Sequence, residues 1–195
     1  MMIYVLGLDL GLANCGWAVA SLHSKFIIPQ EMGLITTKKS TKKQNVMASD
    51  DNFRRAKEVS SELEEIVAKY NPGLICVEAQ SFPRSASSAA KTAMVWGSLA
   101  TLVNQSGKPC VHVRPVDIKE AACGKAKASK KEVQEGLDIM FEGKLEACFT
   151  TPVAPSNREH SYDALGAIVA AKETEPMIML RNMTSILRSS DERDK

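Results

Sequence analysis

No apolar run in this 195-residue chain approaches the roughly 18–20 residues that a membrane-spanning helix needs. A membrane partner is therefore not expected. There is no Cys-x-x-Cys pair, and the five cysteines (Cys15, Cys76, Cys110, Cys123 and Cys148) are odd in number and widely spaced. That pattern argues against structural zinc and against a disulfide framework, and it fits small core residues in a reducing cytoplasm. The first residues, Met1-Met2-Ile3-Tyr4, carry no basic stretch ahead of their apolar run, so a secretory signal is not expected. Internal repeats and linker-like segments are missing too. With a formal net charge of only +2, composition alone does not announce a nucleic-acid partner.

What is present is ordinary in amount and uneven in placement. A hydrophobic content of 44% and a charged content of 25% suit a globular chain large enough to bury a core. Lysines cluster at Lys38, Lys39, Lys42 and Lys43, and again across Lys119, Lys125, Lys127, Lys130 and Lys131. Such clusters are either solvated surface or phosphate contacts.

The element order follows from periodicity and punctuation. Ile3–Asp9 and Trp17–Ala20 flank a glycine-bearing turn and read as a hairpin, and a third strand falls within Lys25–Thr37. A basic loop over 38–49 precedes a helix that starts at an Asp50 or Asp51 N-cap and ends at Tyr70, with Phe53, Ala56, Val59, Leu63, Ile66 and Val67 on its apolar stripe. Leu74–Glu78 is continuously apolar up to its final carboxylate, as in a strand covered on both faces. A loop over 80–88, a helix from about Ser88 to Gln105, a strand over Cys110–Arg114 and short helices near 116–123 and 129–141 follow. The last strong helix runs from Arg158 to Lys172, and Pro176–Ser189 forms an amphipathic helix that packs back on the body or on a partner. This order predicts an α/β fold, a mixed sheet of an antiparallel meander plus parallel βαβ strands flanked by helices. One domain is expected over 1–172, with a C-terminal helical extension and frayed tail over 173–195.

Four positions carry candidate chemistry. Asp9 lies in an apolar strand, read here as mid-strand, where an uncompensated carboxylate is expensive. Glu78 ends another strand, and a parallel crossover would make the two strands neighbours. His160 and Asp163, three apart, share one face of an otherwise apolar helix that could lie against them. Each has a bland alternative: a hairpin tie for Asp9, a solvated strand end for Glu78, a solvated helix face or helix-terminus charge for the other two. Glu159, four before Asp163, competes with His160. Clustered carboxylates repel unless a cation sits among them, and oxygen donors suit Mg²⁺ or Mn²⁺.

These segments resemble the RuvC Holliday-junction resolvases of the RNase H-like nuclease superfamily. The resemblance lies in Gly7-Leu-Asp9-Leu-Gly11, Ile75-Cys-Val-Glu78-Ala-Gln80, Ser88–Gly97, Val113–Lys119, Lys130–Gln134 and His160-Ser-Tyr-Asp163-Ala-Leu165. It implies an RNase H-like nuclease domain and a homodimeric crossover junction endodeoxyribonuclease that nicks four-way and other branched DNA in pairs. It also implies two Mg²⁺ ions per active site (Mn²⁺ substituting), held by Asp9, Glu78, His160 and Asp163. Junction contacts would fall on Lys119, Lys130 and the neighbouring Lys131, with Phe82 and Arg84 following the strand-end glutamate. Leu10 stands where the family commonly has proline, and the 38–49 loop and 176–195 tail are unmatched. That divergence looks more like a phage-type member, acting in the host cytoplasm if phage-encoded. The alternatives are a non-catalytic DNA-structure-binding protein and an RNase H-like nuclease acting on RNA or an RNA–DNA hybrid. An actin-like or sugar-kinase ATPase shares the first motif but needs a second phosphate motif, which the sequence lacks.

Overall fold

The structure, a computed structural model, describes residues 2–80 and 85–191, without the side chains of 187–191. Among the described residues, five strands and six α-helices make up the framework. The strands are β1 (Ile3–Asp9), β2 (Asn14–Leu22), β3 (Ile27–Thr36), β4 (Leu74–Glu78) and β5 (Cys110–Val113). The helices are α1 (Ala48–Tyr70), α2 (Ala86–Ser106), α3 (Pro115–Cys123), α4 (Lys130–Met140), α5 (Arg158–Ala170) and α6 (Glu175–Asp191).

The sheet order is β3-β2-β1-β4-β5. β1 pairs with β2, and β2 with β3, antiparallel, whereas β1–β4 and β4–β5 are parallel. This is the meander-plus-crossover arrangement expected from the element order, and the fold is RNase H-like. Strand alternation sends side chains to two separate cores. Leu6, Leu8, Val19, Ile75 and Val77 pack with α1 and α2, while Val5, Ala18, Cys76 and Leu74 pack with α3, α4 and α5. Covered on both faces, β1 and β4 are almost wholly apolar until each ends in a carboxylate.

Several local expectations shift. Asp9 is the last residue of β1 rather than a mid-strand residue. α1 begins at Ala48 after Met47, and Asp51 is not its cap. The Asp51 carboxylate instead accepts hydrogen bonds from the Ser40 backbone N–H and hydroxyl, anchoring the basic loop to the helix. Phe53 is 66% exposed, off the buried stripe, while Arg55 is only 2% exposed and belongs to it. The cysteines are free, three of them buried and two half-buried.

α6 sets Met177 into the α5-side core, and its Leu180 lies beside Gly73 and Ile3. The expected loop contacts Phe82 and Arg84, and the last residues of the tail, lie outside the described residues. No helix among the described residues is long and apolar enough to cross a membrane.

Candidate active site

Parallel pairing brings two carboxylates together. Gly7 is opposite Cys76 and Leu8 opposite Val77, so the next residues along, Asp9 and Glu78, finish adjacent strands on the face that α5 covers. α5 can come close because the strands beneath it carry glycine. A Cβ on Gly7 would sit 2.0 Å from the Ala164 carbonyl oxygen, and one on Gly16 would sit 2.0 Å from that of His160. Gly16 is itself the β2 partner of Asp9. These glycines therefore make room for the helix backbone, which lowers His160 and Asp163 onto the strand ends. On the far side, a Cβ on Gly166 would meet Ile118 of α3 at 2.6 Å. Sandwiched in this way, α5 is apolar on nearly every side.

The result is a cluster in which one ligand oxygen each from Asp9, Glu78 and Asp163 lie within 4.8 Å of one another. His160 Nδ1 lies 2.6 Å from Asp9 Oδ2, an arrangement in which the imidazole N–H donates to the carboxylate. Glu159 does not join the cluster. It pairs with Lys130 at 2.8 Å and stays 4.0 Å from His160 Nε2.

Crowding shows in the protonation of these groups. Burial, then the Asp9 and Asp163 carboxylates, push Glu78 up to about 7. Burial and Asp9 push Asp163 up to about 6. The bond to Asp9 holds the His160 imidazole above its usual value against the effect of burial. Two carboxylates destabilised by burial and by their acidic neighbours, with Asp9 between them and His160, are what a hard divalent cation relieves. The donor set fits such an ion.

The cationic residues divide. Lys130, first residue of α4, follows a Ser129 cap whose hydroxyl accepts from Glu132 N–H while Glu132 accepts from Ser129 N–H. That capping box aims Lys130 at the site. Burial lowers its ammonium, but Glu159, Asp163 and Asp9 outweigh this and hold it above its ordinary value. Lys131 points away, 3.5 Å from Glu135 and exposed. Lys119 is half-buried on α3, its carbonyl accepting from the Cys123 thiol. Residues assigned no site role from the sequence complete the cleft: Leu10, Thr92 and Trp96 line a cavity of about 250 Å³ with Asp9, Glu78, Ala79 and Gln80. Thr92 and Trp96 lie four apart on α2, within the Ser88–Gly97 segment that carries part of the resemblance.

An RNase H-like sheet with three carboxylates gathered at its strand ends defines the class: a fold with an acidic centre suited to phosphodiester chemistry. The family description "Crossover junction endodeoxyribonuclease RuvC" matches residues 5–147, about three quarters of the sequence. The chain belongs to the RuvC family of crossover junction endodeoxyribonucleases. RuvC of Pseudothermotoga lettingae is 29% identical over 140 residues, covering 72% of this chain and 81% of that one. RuvC of Shewanella woodyi is 25% identical over 178 residues, covering 91% of both. Among solved structures, T. thermophilus RuvC in complex with a Holliday junction substrate superposes with a TM-score of 0.68 at 20% identity, covering 93% of this chain and 97% of that one. The family match stops before His160 and Asp163, so their place beside Asp9 rests on the geometry of α5.

Proposed function

We propose that the chain is a Mg²⁺-dependent endonuclease that resolves four-way and other branched DNA by paired nicks. The observation that carries this reading is the convergence of Asp9, Glu78 and Asp163 within 4.8 Å beneath α5. Asp9, Glu78 and Asp163 would hold two Mg²⁺ ions, or Mn²⁺ in their place. When bound, the ions would supply Lewis-acid activation of water and charge stabilisation at the departing oxygen. The chain's own residues do the rest. Asp9 fixes the His160 ring through Nδ1–H, which leaves Nε2 as the nitrogen that takes a proton from the attacking water. Water oxygen bonds to phosphorus, the bond to the 3′-oxygen breaks, that oxygen takes up a proton from solvent, and the products are a 5′-phosphate and a 3′-hydroxyl. Lys130 lies near enough for Asp163 and Asp9 to act on its charge, and is the cation we place beside the reacting phosphate. Lys119 and Lys131 extend the basic surface along α3 and α4, so binding should weaken as salt rises.

Paired nicks on a two-fold junction require two sites, hence a homodimer. The outward face of α2 supports one: Ala86, Ala90, Ala93, Gly97 and Ala100 recur every three or four residues, all exposed, and nothing lies within 4 Å of a Cβ placed on Gly97. A face so smooth suits close packing against a second copy. The 1–172 body would be the nuclease domain, with α6 as an extension docked through Met177.

The deciding experiment compares four-way junction, flap, replication fork, linear duplex and RNA–DNA hybrid in Mg²⁺. Paired nicks confined to branched DNA are expected. Preferential cleavage of the hybrid would move the chain to the RNA-directed alternative, and binding to the junction without cleavage would leave a DNA-structure-binding protein.

A further inference from the structure

Beside the carboxylate cluster lies a pocket of opposite character. It measures about 380 Å³ and is lined by the β1–β2 turn (Gly11, Leu12, Ala13, Asn14), by Lys39 and Arg55, by Ser88, Lys91 and Thr92 of α2, and by His160. Thr92 also lines the acidic cleft, and His160 holds Asp9, so the two spaces adjoin. Three cations line the pocket and no carboxylate does. None of the three is ion-paired among the described residues.

Arg55 is the unusual member. It is 2% exposed, and its guanidinium is held from behind: Nε donates to Thr37 Oγ1 at 2.8 Å and Nη2 to the Leu12 carbonyl at 3.4 Å. Thr37 in turn donates to the same carbonyl at 2.5 Å. Nη1 is buried with no hydrogen-bond partner among the described residues. A buried cation lacking both a counter-ion and one of its bonds costs free energy unless an anion completes it. Arginine beside two lysines, at a rim to which α2 contributes its first turn, is a donor set for phosphate.

We infer that this pocket is a phosphate subsite that seats a backbone phosphate of the nicked strand next to the scissile one. Lys39 and Lys91 close over the phosphate from the rim, and Arg55 supplies fixed positive charge at the wall. The subsite gives the basic 38–49 loop a purpose, since Asp51 ties that loop to α1 through Ser40. It reads no base. Its effect is to set the strand's path so that the neighbouring phosphate falls on the carboxylates. The inference rests on the nuclease reading, but its test does not require cleavage.

Arg55 is part of the core, so the two rim lysines carry the test as Lys39→Gln/Lys91→Gln. Binding to a four-way junction is measured without Mg²⁺ over a range of salt. The double variant should bind about tenfold more weakly near 0.1 M salt, with the slope of log K against log salt reduced by about 1 to 2. Single neutral methylphosphonate linkages are then walked through the strand. At one position flanking the nick, wild type should lose about tenfold and the double variant less than about twofold, because the partner charge is already gone. An unchanged salt slope, or losses that simply add, would overturn the subsite. So would stabilisation by inorganic phosphate in wild type alone while the double variant binds junction normally, since the pocket would then serve a small free phosphate. A wild type that binds this way but never nicks would refute the nuclease reading and leave the subsite standing.

Discussion

The two spaces either side of His160 are built from opposite charges and share one deficiency. On one side, burial and then the neighbouring carboxylates push Glu78 up to about 7 and Asp163 up to about 6. On the other, a buried arginine and two lysines meet no carboxylate. Each is destabilised as it stands, the first for want of cations and the second for want of an anion. A phosphodiester strand with metal ions bound, the ligand proposed above, would satisfy both. Stability given up in two neighbouring places for complementary reasons marks a binding site more firmly than either would alone.

The largest effect should come from splitting function from stability on the acidic side. Glu78→Gln is expected to lower junction nicking about a thousandfold, roughly 4 kcal/mol of barrier, while making the metal-free protein more stable at pH 8. Single-turnover rates and thermal melts together check this, and a variant that loses both activity and stability would break the comparison. Next comes the packing that sets the distance. Gly7→Ala should destabilise by about 3 kcal/mol, because its Cβ would meet the Ala164 carbonyl oxygen at 2.0 Å, whereas Gly97→Ala, with open space around it, should leave monomer stability within about 0.5 kcal/mol. Denaturant unfolding at a concentration where the chain is monomeric separates the two.

The pH effect is smaller. The folded pKa values of Glu78 and Asp163 lie above their ordinary values of 4.5 and 3.8, so the folded, metal-free chain binds more protons than the unfolded one. Their contribution to stability is present at low pH and is lost as pH rises from about 4 to 7. Mg²⁺ competes with those protons, so the rise in Tm on adding it should grow from pH 5 to pH 8. The growth should be reduced in Glu78→Gln, and a pH-independent Mg²⁺ shift would contradict the account. The smallest effect belongs to the exposed Lys131. Lys131→Gln should change stability by less than about 0.5 kcal/mol and the salt slope of junction binding by about 1.

Much of the acidic half was legible in the sequence because strands advertise themselves. A continuously apolar run that ends on a carboxylate, as in Leu74–Glu78, can be read without coordinates. His160 and Asp163 were placed by helical spacing and by the motif that carries the resemblance. What could not be read was depth. The space at Gly7 and Gly16 is taken up by the backbone of α5. That is a contact between residues about 150 apart, and no local pattern reports it. The cationic half was hidden for another reason. Asp51, Arg55, Val59 and Leu63 recur every four residues, so the period that identified the buried face of α1 already included two charged residues. Reading the stripe for apolar residues selected Phe53, which is exposed, and passed over Arg55, which is not. A charge in register with an apolar stripe deserves to be read as a member of it.

The central claim is that Asp9, which ends β1 and accepts the His160 bond, stands at the centre of a metal-dependent cutting site. It is tested most directly by Asp9→Asn on a four-way junction in Mg²⁺, following binding and nicking in the same samples. The account predicts junction binding within about threefold of wild type and nicking reduced at least about a thousandfold. Full nicking by Asp9→Asn would contradict it.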